Sequence, residues 1–391
     1  MIISEFKKSI FTKTRCIIYV LLLIVLAVFT FISTVHRDKT AIDFYKKMNG
    51  RAQYEKLAAL SDEYSALYNS AFYYEDDVFV DNSKILETEG KYTPSRYDDM
   101  LLLREIRNIK DSIDERKQQT ETILEAGGRA RLYYDNEQYL ICDHWVVETL
   151  MGQKYYPLIA CMITIIAAVA VMTVDNRKMI SLCVTKKGLN AIVFSKVMAV
   201  GIVALISSVA AFLFFVGAVF AKTGFSVWEL LAPAFYASDF LLCGSGLTVI
   251  GYLLFELLIT VFFAFFIAEI TMLLEAVIGK WKITMLISMV LVAGMTAIET
   301  LSKVLFENGF DTRENYIISK FSFFRLYEVL KKVNPFSLID IRYYFEQPRF
   351  ISTVWGTLDN IFVVTAFCGL GIIISNIVIF AHVQYPKERI K

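Results

Sequence analysis

Six apolar runs, each long enough to cross a lipid bilayer, leave this chain few folds to adopt. They are Ile17–Val35, Pro157–Val174, Ala191–Ala221, Leu247–Glu269, Ile283–Leu301 and Leu358–Val383. A helix needs ~20 residues to cross ~30 Å of hydrocarbon. Lipid offers no water to satisfy backbone groups, so such runs must be helical. Hydrophobic residues make up 56% of the chain at a net charge of +1, and they are concentrated in these blocks. The expected fold is an all-α polytopic membrane protein with six transmembrane helices. With so little net charge, no nucleic-acid partner is expected, while membrane lipid is an obligatory neighbour.

Short basic flanks orient the spans. Lys7, Lys8, Lys13 and Arg15 precede the first span, which places its N-terminus on the cytoplasmic side. The same side then receives Arg177, Lys178, Lys186 and Lys187, next Lys280 and Lys282, and last Lys387, Arg389 and Lys391. This gives an N-in, C-in topology. The basic segment 302–357 falls outside, but it carries the acids Glu307, Asp311 and Glu314, and long loops follow the charge rule poorly. Trp228, Trp281 and Trp355 lie near span ends, where an amphipathic ring favours the headgroup layer.

The order of the runs divides the chain. Residues 1–35 hold an N-terminal amphipathic stretch, with Ile3, Phe6 and Ile10 on one face, and the first span. Residues 36–154 are polar and long enough for an extracytoplasmic domain inserted between helices one and two. Leu57, Leu60, Tyr64, Leu67 and Tyr68 share one helical face there. A second helix is announced by Pro94, Ser95 and Asp98 and continues through Leu102, Ile106, Ile109 and Ile113. The expected domain is therefore mainly helical. Residues 155–391 hold the other five spans.

The break between spans two and three, 175–188, carries most of the functional argument. Asp175 is placed as an N-cap and Gly188 as a C-terminal stop. Between them Met179, Ile180, Cys183 and Val184 recur at helical spacing, among Arg177, Lys178, Lys186 and Lys187. Such a helix lies along the inner membrane surface. Two readings are open on these residues alone: a platform for a soluble partner, and a plain linker whose cations obey the positive-inside rule.

Several features together resemble the permeases of ABC-2-type exporters. These are the amphipathic N-terminus, the acid at Asp175, Thr185-Lys-Lys-Gly188, and Ser195-Lys196 entering span three. Asn334-Pro335-Phe336 before the last span also resembles that family's Asn-Pro-Phe segment on the outer side. The large insertion between spans one and two matches one subgroup. The acid is Asp175 where glutamate is common in the family. The resemblance implies that 175–188 is the coupling helix, docked on a separate nucleotide-binding ATPase subunit through Asp175, Arg177, Lys178, Met179, Cys183, Val184, Lys187 and Gly188. It also implies a homodimer, or pairing with a related second permease, in a plasma membrane.

The sequence contains no Gly-x-x-x-x-Gly-Lys-Ser/Thr phosphate loop, no His-Glu-x-x-His and no Gly-x-Ser-x-Gly elbow. ATP hydrolysis is therefore expected on another chain, with no catalytic residue, metal or cofactor here. Glu256 lies mid-span, where a carboxylate costs roughly 3 kcal/mol on insertion scales and should face protein or water. It is either a lining residue of the translocation path or a structural hydrogen-bond partner of Ser207, Ser208 or Tyr252. Glu269 and Glu275 are expected near the inner interface. One rival function is a non-transporting mechanotransmitter that controls an extracellular partner through the outer domain. Another is a membrane enzyme, for which no catalytic constellation is legible.

Overall fold

The computed structural model describes residues 12–34, 36, 66, 69–70, 72–75, 78–82, 144–152, 155–173, 186–225, 230–231, 248–302, 334–339, 350–353 and 356–384. Their elements run in order α1 (Lys13–Ser33), β1 (Phe72–Glu75), β2 (Val78–Asp81), α2 (His144–Gly152), α3 (Tyr155–Thr173), α4 (Lys186–Thr223), α5 (Val249–Ile278), α6 (Trp281–Ser302), a 3₁₀ turn (Pro335–Ile339), β3 (Phe350–Thr353), β4 (Gly356–Asp359) and α7 (Asn360–Gln384). Among the described residues, five stretches are long and apolar enough to cross a membrane: Lys13–Ser33, Thr149–Thr173, Val193–Thr223, Val249–Ile278 and Trp281–Ile298. The sixth expected span is α7, a helix of 25 residues whose apolar section is Val363–Ile379. The chain is thus built as a helical, multi-pass membrane protein.

The chain divides into two compact units. One comprises Met1–Ser33, Gly152–Val219 and Leu253–Lys391; the other comprises Thr34–Met151 and Phe220–Tyr252. In the second unit β1 and β2 pair antiparallel, Glu75 opposite Val78 and Phe72 opposite Asp81. This hairpin falls inside the stretch expected to be mainly helical. Tyr73, Tyr74, Val78, Phe79 and Val80 are residue types that favour a pleated surface, and two residues between the strands suffice for a tight hairpin. The helices expected around Leu57–Tyr68 and Ser95–Ile113 lie outside the described residues, apart from isolated positions.

Local chemistry sets the helix ends. Thr248 caps α5, its Oγ1 accepting from the Gly251 N–H at 3.2 Å. Gly279 closes the same helix at φ 65°, its N–H donating to the Glu275 carbonyl at 2.9 Å. A left-handed residue at that place suits glycine alone. The next helix starts at once, with the Lys280 carbonyl accepting from Ile283 and Thr284. Pro157 sits in the first turn of α3, where its missing N–H costs nothing.

Three boundaries differ from expectation. Span four does not end at Glu269: Met272, Leu273, Leu274, Val277 and Ile278 extend the apolar helix to Gly279. Leu358 and Asp359 belong to β4, so α7 begins at Asn360. Gly188 does not terminate a helix. It lies in the first turn of α4, which runs unbroken from Lys186 to Thr223.

The core of the first unit is centred on α5. Phe263, Ala264, Phe266 and Ile267 pack against Cys161 and Ile165 of α3, Ala204 of α4, Val292 of α6 and Val364 and Cys368 of α7. A second cluster joins Ala268 and Met272 to Val171, Val193, Val200 and Ile379. Helix α1 is held more lightly, through Tyr19, Leu22 and Leu23 against Ile163, Ala167 and Val203. The outward faces stay apolar, with Ile24, Leu213, Leu258, Leu286 and Ile373 exposed, as expected of surfaces that meet hydrocarbon.

Candidate functional site

Asn334, Pro335 and Phe336 are all buried. Asn334 starts the 3₁₀ turn, its Oδ1 accepting from the Phe336 N–H at 3.2 Å and its carbonyl from the Ser337 hydroxyl at 2.6 Å. Its side-chain amide donates to the Met295 carbonyl of α6 at 2.9 Å. Phe336 meets Phe263 edge to face, centroids 5.7 Å apart. Phe263 stands near the middle of α5, so irregular backbone is seated between apolar helices. Such backbone is tolerated only where protein surrounds it, and the asparagine supplies the hydrogen bonds that make this possible.

Glu256 is fully buried. It lies seven residues past Val249, about 10 Å along α5, which sets it closer to one helix end than mid-span. One turn on, Thr260 donates to the Tyr156 hydroxyl at 3.4 Å. Glu256 lies within electrostatic reach of that phenol. Tyr156 is itself clamped, stacked on Phe215 at 5.3 Å and edge-on to Phe212 at 5.7 Å. Nearby along α3 and α4, Thr164 and Ser207 share a hydroxyl–hydroxyl bond of 3.0 Å, and Thr164 donates to the Ala160 carbonyl at 2.6 Å. The partner thus found for Ser207 is Thr164. A tyrosine two positions into α3 belongs to the Glu256 site, and the sequence signal for it was limited to its polar ring at a span boundary.

A second polar layer lies toward Gly279. Thr271 of α5 and Ser288 of α6 are joined at 3.1 Å. These two helices pack antiparallel, so Glu275 and Thr284 come to the same level one turn nearer their junction. Both are buried, as are Lys196 and Glu269. Glu269 and Glu275 were expected near the inner interface; α5 runs on past both, and both are buried. This layer can hold a proton, or a donor-bearing ligand, away from bulk water.

Of the lever residues, Asp175, Arg177, Lys178, Met179, Cys183 and Val184 lie outside the described residues. Lys187 and Gly188 are in the first turn of α4. The thiols of Cys161 and Cys368 are free and buried in one apolar core. No protein-family model, curated protein or solved structure matches this chain.

Proposed function

We propose that this chain is the permease subunit of an ATP-driven ABC exporter, coupling ATP hydrolysis on a separate subunit to movement of a substrate across a plasma membrane. The observation that carries the reading is the serial order of the elements. One apolar helix comes first, then a long insertion. A multi-helix bundle follows, whose first two helices, α3 and α4, are joined by a short basic connection between Thr173 and Lys186. A buried Asn-Pro-Phe turn and a fully buried Glu256 support it, because both make interior polar ground that a simple anchor has no use for.

In this reading the N- and C-termini are cytoplasmic, 36–154 is extracytoplasmic, and the 175–188 segment is the lever on which the ATPase pushes. Two permeases, identical or related, face two ATPase copies. Closure of the ATPase dimer moves α3 and α4 together, since they share the Thr164–Ser207 bond and both apolar clusters. The route past Glu256 then opens alternately to either side.

The test is purification of the full-length tagged chain in mild detergent from its native host, followed by identification of what accompanies it. A stoichiometric subunit with nucleotide-binding motifs is expected, lost on Met179→Asp and Val184→Asp while membrane insertion persists. Undiminished ATPase recovery with both variants overturns the lever. Recovery of an extracellular enzyme without an ATPase overturns the exporter reading in favour of a mechanotransmitter.

A further inference from the structure

Glu269 of α5 is fully buried, and neither of its carboxyl oxygens has a hydrogen-bond partner among the described residues. Its surroundings follow from the helix it stands on. Phe265 and Phe266 lie four and three residues before it and Met272 three after, so all three share its face. Phe265 packs against α4 at Gly201, where a Cβ would stand 3.3 Å from the ring. Phe266 packs against α7 at Gly371, where a Cβ would stand 2.9 Å from the ring. Two neighbouring rings thus each rest on a glycine, and α4 and α7 both close on α5 one turn from the carboxyl. Met272 continues the enclosure, in one apolar cluster with Val193 and Val200 of α4, Val171 of α3 and Ile379 of α7.

Among the described residues, few titratable groups face this seam. Ala204 packs with Phe263 and Val193 with Met272, so α4 runs antiparallel to α5, and Gly201 opposite Phe265 brings Val197 level with Glu269. Lys196, beside Val197, is buried and gives Glu269 no hydrogen bond. Val364 packs with Phe263 and Ile379 with Met272, so α7 runs parallel to α5. Ser375, one turn past Gly371, therefore reaches the level of Glu269 and is buried there. Cys368 of α7 and Cys161 of α3 lie in the cluster around Phe263, and Glu275 of α5 lies at the level of Thr284 of α6. An ionised carboxylate enclosed without a donor is far costlier than the neutral acid. The packed seam accommodates the acid and not the carboxylate. Hydrating a carboxylate there requires α4 or α7 to move off its phenylalanine, because each glycine contact is already closed.

We propose that Glu269 is a proton site that locks the α4–α5–α7 seam, closed around the neutral acid and opened by loss of the proton. In the opening step the carboxyl O–H bond breaks and its proton passes to water. Water entering the seam then supplies the donors that the carboxylate needs. The closed seam binds the proton more tightly than the open one, so closure is favoured at low pH and weakens as pH rises. The lock does not rest on the exporter reading, since any cycle that moves α4 or α7 off α5 is coupled to the proton in the same way.

Two measurements on the full-length protein in phosphatidylcholine nanodiscs test the lock. Infrared spectroscopy reads the acid directly. The C=O stretch of a carboxylic acid without hydrogen bonds is expected at neutral pH and lost in Glu269→Gln. Access to the seam is read at Ser375→Cys, by mass-spectrometric quantification of its modification by a water-soluble methanethiosulfonate. The rate should rise with pH more steeply than in the Ser375→Cys, Glu269→Gln double variant, which corrects for the titration of the thiol itself. Release of one proton sets the extra slope at about tenfold per pH unit. A carboxylate signal in place of the acid at neutral pH, or equal slopes in the two backgrounds, overturns the proposal. Should Ser375→Cys fail to fold, thermal unfolding decides. The midpoint of the parent should fall with rising pH relative to that of Glu269→Gln, and parallel midpoints overturn the lock.

Discussion

The side-chain amide of Asn334 reaches 2.9 Å across to the main-chain carbonyl of Met295, tying an irregular turn to the middle of a membrane helix. The same side chain caps the turn through Oδ1. Asn334→Ala removes both bonds and leaves buried polar groups without partners, at a cost of about 2–4 kcal/mol. Asn334→Ser keeps an acceptor for the cap and loses the reach to Met295, so it should cost about half as much. Thermal unfolding in detergent checks the order. Equal midpoints for both variants and the parent would show that the turn is anchored by packing alone.

The two glycines of α7 should behave differently although they are two residues apart. A Cβ on Gly371 would stand 2.9 Å from Phe266 Cε2, while one on Gly369 meets nothing within 4 Å. Phe266 is fixed in the core and has little room to retreat. Gly371→Ala should therefore cost about 1–3 kcal/mol by overpacking. Gly369→Ala should be neutral or slightly stabilising, because alanine is the better helix former. The comparison is read as a difference in unfolding midpoint between the two variants.

Tyr156 offers a test of ring against hydroxyl. Tyr156→Phe removes the acceptor of Thr260 and should cost about 1 kcal/mol. Tyr156→Ala also empties the space between Phe212 and Phe215 and should cost about 3–5 kcal/mol. If both variants lose the same amount, the polar contact to Thr260 of α5 rather than the aromatic clamp from α4 holds α3 at that level.

The spans were legible because lipid selects on composition, and a block such as Val249–Ile278 reads as a helix without knowledge of its neighbours. Its true end was not legible. The carboxylate of Glu269 reads as a boundary in a hydropathy profile, yet Leu273, Val277 and the left-handed Gly279 carry the helix onward. Burial of Glu269 and of Asn334 depends on which helices lie alongside, and that is decided by contacts such as Phe266 against Gly371 that no one-dimensional pattern records. Asn334, Pro335 and Phe336 drew notice as a motif, but their seat beside Phe263 follows only from the fold. Short hairpins such as Phe72–Asp81 are weak signals beside the helical periodicity expected around them.

Glu256 separates stability from function. An ionised carboxylate inside a bundle is held at a cost, and replacing buried ionic groups by well-packed neutral ones is often neutral or stabilising. If the side chain serves transport, Glu256→Gln should keep the unfolding free energy within about 1 kcal/mol of the parent, since shape and one hydrogen-bonding oxygen remain. Glu256→Leu should be as stable or more so. Both should lower substrate-stimulated ATPase activity of the reconstituted complex about tenfold or more, because the polar step in the path is gone. The opposite pattern is equally clear: a loss of more than about 3 kcal/mol in Glu256→Gln, with activity per folded molecule unchanged, makes the carboxylate a structural partner of the Tyr156–Thr260 pair. Measuring both quantities on the same preparations distinguishes the two roles, since a misfolded variant lowers activity and stability together while a path variant lowers activity alone.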